Sequence, residues 1–128
     1  MIKVYQTKFG NEGNCFAACI ASLFETQIDT IPFLNDYKDD WEEYLIALNC
    51  VLRKEFQVIM HCIEYEVWQE WFKSNYKDSY LIVIGDSNKK GFEHAVVYKN
   101  EKLYHNPNNR GSRIKNIKYV CFFVKLHL

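Results

Sequence analysis

Apolar residues change their spacing along this chain. Over residues 15–24 they run almost unbroken, Cys15-Phe16-Ala17-Ala18-Cys19-Ile20-Ala21-Ser22-Leu23-Phe24, with no breaker inside. A segment that is apolar nearly all round predicts a central, buried helix rather than a surface one. Asn14, a favoured N-cap, stands before it, and Gly10 and Gly13 predict a flexible loop over 9–14. A second helix is predicted over 40–56. There Trp41, Tyr44, Leu45, Leu48, Leu52 and Phe56 recur at steps of three and four, while Glu42, Glu43, Arg53 and Lys54 fall elsewhere. Trp68, Trp71 and Phe72 keep helical spacing over 66–74.

The rest of the chain reads as extended. Residues 4–7 look extended, 27–39 are turn-rich around Ile31-Pro32, and 57–63 form a strand. The apolar run 80–85 is a buried strand, followed by a polar loop over 86–93. Residues 94–98 and 102–105 make a hairpin across Lys99-Asn100-Glu101; a polar loop covers 106–113, and a last strand covers 118–126. Helices come first and strands mostly after, with short connections that favour antiparallel pairing. The pattern predicts an α+β fold in which a buried helix packs on a sheet.

The length of 128 residues suits one domain, 1–128, and 48% hydrophobic and 16% aromatic content is enough for a packed interior. Net charge is zero, with Lys and Arg scattered, so nothing points to a nucleic-acid or membrane surface. The first eight residues lack the apolar run of a signal peptide, and the apolar stretches 80–85 and 119–124 are too short to span a bilayer. The expectation is a soluble, cytoplasmic protein. Five cysteines, an odd count without an export signal, argue against a disulfide framework. Cys19, Cys50, Cys62 and Cys121 read as core thiols, and the absence of closely paired cysteines argues against zinc. Trp41, Trp68 and Trp71 also read as core, His61 as a structural strand residue, and His127 as part of a frayed end.

Three residues meet the needs of thiol catalysis. Cys15 opens the buried helix, where the positive end of the dipole favours a thiolate and first-turn amides can face a developing oxyanion. His94 opens a strand, a rigid seat for a base that would take the thiol proton and form an ion pair. Asn106 follows the strand paired with that of His94, so the hairpin alone brings it beside the imidazole, where it can fix the tautomer. His105 reads as a group supporting the site, with substrate binding as the alternative.

Gln6, Cys15-Phe16-Ala17-Ala18-Cys19, His94-Ala95-Val96-Val97-Tyr98 and His105-Asn106-Pro107 resemble, in order and residue type, the papain-like cysteine peptidase superfamily. The nearest branch is the compact bacterial and phage one related to bacteriocin-processing peptidases. The resemblance implies a Cys-bearing helix on an antiparallel sheet. It also implies Cys15 as nucleophile, His94 as base, Asn106 as orienter and Gln6 as a side-chain oxyanion donor. The expected activity is cleavage of an amide, peptide or isopeptide bond in a protein or peptide substrate, with no metal or organic cofactor. Two alternatives stay open: acyl transfer to an amine at the same site, as in a transglutaminase, and a non-catalytic phage or plasmid binding protein on this scaffold. The sequence leaves the oligomeric state open.

Overall fold

Helix α1 (Cys15–Leu23) is buried from Phe16 to Ser22, as its all-round apolar sequence demands. The computed structural model describes residues 1–10, 13–38, 40–89 and 91–126. Helix α2 (Trp41–Phe56) starts where the Asp40 carboxylate accepts the Glu43 N–H at 3.2 Å, and it ends at Gln57 in the left-handed region. Its inner face buries Tyr44, Leu48 and Leu52. Such a cap contributes on the order of 1 kcal/mol; the buried stripe contributes more.

Five strands follow: β1 (Val58–Glu64), β2 (Tyr80–Ser87), β3 (Glu93–Lys99), β4 (Lys102–His105) and β5 (Ile114–Lys125). They form one antiparallel sheet in the order β1-β5-β2-β3-β4, so the chain is α+β. The β3–β4 turn places Asn100 and Glu101 at φ of 53° and 65°, the two positive angles that a tight primed hairpin turn needs.

Side chains alternate between two cores. Ile82 and Cys121 pack with α1 and α2, whereas their neighbours Leu81, Val120 and Phe122 pack with Trp68 on the other face. The sheet is therefore covered on both sides, which explains why 80–85 reads as a continuous apolar run. Its second cover is a short α3 (Tyr65–Val67) continued by a π turn (Trp68–Phe72) and a 3₁₀ turn (Lys73–Tyr76) in place of one regular helix over 66–74. The added residue in the π turn helps to carry Trp68, Phe72 and Tyr76 onto Phe122.

Several sequence expectations need correction. Residues 86 and 87 extend β2, and Glu93 begins β3, because the Asp86–Glu93 register continues the ladder past the apolar run. Trp71 is 69% exposed, since the π turn rotates it away from the sheet. Cys50 is exposed on the outer side of α2. Cys62 and Cys121 are joined as a disulfide, lying opposite each other across β1 and β5 with their Cα atoms 4.1 Å apart. That pair is created by strand register across a sequence separation of 59, which no local spacing reveals. His61 is exposed and lies over Phe122, and His127 lies outside the described residues. No helix among the described residues is long and apolar enough to cross a membrane.

Candidate active site

Cys15 is the first residue of α1, and the chain reaches it through a tight approach. Gly13 N–H donates to Gly10 O at 3.0 Å, and Asn14 N–H to Lys8 O at 3.2 Å. The helix then packs along β3, bringing the sulfur to the backbone N–H of Ala95, the residue after His94. The N–H groups of Phe16 and Cys15 face the same sulfur. Each of these three amides favours the thiolate form.

His94 is the second residue of β3 and is 4% exposed. It stands opposite Gly85 of β2, at the point where β2 and β5 slip register. A Cβ at Gly85 would overlap the carbonyl oxygen of Asn116 and a methyl of Ile114, so only glycine lets β5 come this close behind the histidine. His94 Nε2 lies 2.7 Å from Asn106 Oδ1.

The bond inventory fixes the tautomer. Asn106 Nδ2 donates to Ser112 O at 2.7 Å, and Asn106 Oδ1 accepts the Asn108 N–H at 3.0 Å. The oxygen of that amide therefore faces the imidazole, so Nε2 must carry the proton. In the neutral ring, Nδ1 is left with the free lone pair. Among the described residues, Asn106 is the only side chain bonded to this imidazole.

Electrostatics set the resting state. Crowding by protein atoms pushes the Cys15 thiol above its ordinary value of 9.0, and the Ala95, Phe16 and Cys15 amides only partly offset this. The residue as a whole keeps partial solvent contact, so the desolvation is that of the sulfur and not of the entire side chain. Burial also holds His94 below the ordinary histidine value of 6.5, against the Asn106 bond, with Lys89 adding to the depression. Both shifts favour the uncharged forms, a neutral thiol and a neutral imidazole, over the ion pair that the helix dipole alone suggests.

Gln6 is buried between the two loops. Its backbone N–H donates to Pro107 O at 3.0 Å, and its side-chain Nε2 to Lys8 O at 2.9 Å. One amide hydrogen is thus engaged locally and one remains, while Oε1 is buried without a partner among the described residues. His105 is 3% exposed, and its Nε2 meets Val4 O at 2.7 Å. It ties the N-terminal segment to the loop that carries Asn106, consistent with a supporting group. A cleft of about 420 Å³ lies beside the start of α1, between Lys8, Asn14 and Ala17 on one wall and Pro32, Phe33 and Asp36 on the other. Neither Cys15 nor His94 lines this cleft, although Asn14, next to Cys15 in the chain, does.

The structure thus brings Cys15 to the residue next to His94, joins His94 to Asn106, and ties Gln6 to both loops. Sequence reasoning missed the contributions of Asn14, Asn108 and Ser112. The Asn-Pro-Asn run did carry a signal for Asn108, since alternate Asn residues favour side-chain turns onto the backbone two residues on. Among the described residues, no group of three or more His, Cys, Asp or Glu side chains is placed to hold a metal ion. Comparison with protein-family models, curated proteins and solved structures finds no match to this chain.

Proposed function

We propose that this chain is a papain-like thiol hydrolase that cleaves an amide, peptide or isopeptide bond through a Cys15 thioester. The observation that carries the reading is the Asn106-held imidazole, proton on Nε2 and lone pair on Nδ1, in the residue next to the amide that faces the Cys15 sulfur. Nδ1 takes the thiol proton as the sulfur attacks the carbonyl carbon. The carbonyl oxygen becomes an oxyanion, with the Cys15 amide and the remaining Gln6 amide hydrogen as its donors. Collapse breaks the C–N bond, and the imidazolium returns its proton to the leaving amine. Water, deprotonated by Nδ1, then attacks the thioester carbon; the C–S bond breaks, the acid leaves, and the imidazolium returns its proton to the Cys15 sulfur. Asn106 keeps the ring in one tautomer throughout.

A peptidyl vinyl sulfone with peptide mapping tests this. Cys50 is exposed and serves as the internal control for mere accessibility. Cys15 is expected to be modified first although it is the less exposed of the two. Modification of Cys50 alone, or equal slow modification of all free thiols, would overturn the reading. The burial that raises the Cys15 thiol favours one rival, a binding protein on the same scaffold. If Cys15→Ala keeps the full biological effect of the protein, that rival is correct.

A further inference from the structure

Asn14 has the residue type and position of a helix N-cap, yet its side chain makes no bond to the first turn of α1. It turns the other way. Oδ1 accepts the N–H groups of Thr7 at 2.9 Å and Lys8 at 3.0 Å, and Nδ2 donates to Thr7 Oγ1 at 2.9 Å. Two N–H donors on one end of the amide and a hydroxyl on the other fix its orientation. The backbone N–H of Asn14 adds a bond to Lys8 O, the same carbonyl that receives the Gln6 side chain. The residue is 92% buried by this arrangement, being 8% exposed.

We propose that Asn14 is a positioning residue for the thiol site, holding the Gln6–Lys8 segment against the start of α1 while leaving the first-turn amides of the helix uncapped. The inference rests on the thiol-hydrolase reading and adds to it the device that keeps the donors free. A capping side chain would accept hydrogen bonds from the first-turn N–H groups. The Phe16 N–H is one of the groups a cap would claim, and it also favours the thiolate of Cys15. A residue that both clamps the neighbouring segment and declines to cap gives the site two things at once: a fixed Gln6 and unclaimed donors.

The consequence separates this role from ordinary structural support. Ser is as good an N-cap as Asn but is too short to bridge to both Thr7 and Lys8. In Asn14→Ser the hydroxyl competes for the first-turn amides, so the thiolate loses part of its stabilisation. The iodoacetamide alkylation of Cys15, followed against pH, is expected to shift to higher pH, with the rate at a fixed pH near neutrality falling about tenfold, equivalent to one pKa unit. Thr7→Val removes only the Nδ2 partner at an exposed position and introduces no new cap. It is expected to shift the profile in the same direction but less, and it decides the matter should Asn14→Ser fail to fold.

A purely structural Asn14 would lower the melting temperature in both variants and leave the thiol profile where it was. That result overturns the proposal. Selective reaction of Cys15 in the wild type with an unchanged profile in both variants would sink this inference alone. Absence of selective reaction in the wild type would instead sink the thiol-hydrolase reading beneath it.

Discussion

Two groups at the site carry opposite shifts, and both point to the uncharged form. Burial raises the Cys15 thiol above 9.0 and lowers the His94 imidazole below 6.5. Thiolate is therefore scarce at neutral pH, while the unprotonated base is available down into the acid range. Iodoacetamide alkylation of Cys15 is expected to keep rising as pH passes 9.0, with no acidic plateau. A plateau of fast labelling near pH 5 would instead reveal a pre-formed ion pair and contradict the neutral resting state. For stability, the sign follows from the lowered histidines. His94 and His105 bind fewer protons folded than unfolded, so their contribution is intact above the unfolded value of 6.5 and is lost as pH falls through the folded values.

At the scale of elements, strands β2 and β1 each depend on one residue. Gly85 lets β5 pass close behind His94, and Gly85→Ala forces Asn116 or β2 aside. The expected cost is about 2 kcal/mol or more in urea unfolding, with shifted His94 ring resonances. No change in either would show that β5 yields freely here. β1 is an edge strand, paired only with β5. Asn49 of α2 covers its open side: Oδ1 accepts the Met60 N–H at 2.8 Å, and Nδ2 donates to Met60 O at 3.3 Å. Asn49→Ala leaves both backbone groups unmet and the edge open to other chains. It is expected to cost about 1–2 kcal/mol and to raise self-association in sedimentation at high concentration. A change below about 0.5 kcal/mol with unaltered sedimentation would remove Asn49 from this role.

Across the whole molecule, a disulfide joins two strands that are far apart in sequence. Closing a loop of 59 residues stabilises the fold by about 4 kcal/mol in the chain-entropy account. Thiol titration of the oxidised, unfolded protein is expected to count three free cysteines, Cys15, Cys19 and Cys50, and reductant to lower the unfolding midpoint. Five free thiols before reduction would deny the link.

Much of this architecture was legible in the sequence because it is local. The unbroken apolar run gave the buried α1, and the three-and-four spacing gave α2. The hairpin geometry gave the approach of Asn106 to His94. What escaped depends on contacts between distant segments. The register of β1 on β5 decides the disulfide, and the π turn decides that Trp71 faces solvent while Trp68 does not. Asn14 was read by its position before a helix. Its actual partners, Thr7 and Lys8, become neighbours only once the chain has folded back, so propensity pointed to a cap where tertiary contacts made a clamp.

The base role of His94 underlies the whole account, and acylation of the thiol measures it most directly. p-Nitrophenyl acetate would be mixed with the wild-type protein and with His94→Ala, and release of p-nitrophenolate would be followed alongside the mass of the Cys15 peptide. The expected result is an acetyl group on Cys15 in the wild type, formed about a hundredfold more slowly in His94→Ala, while the Cys50 peptide is acylated equally in both. Equal rates at Cys15 with and without the imidazole would contradict it.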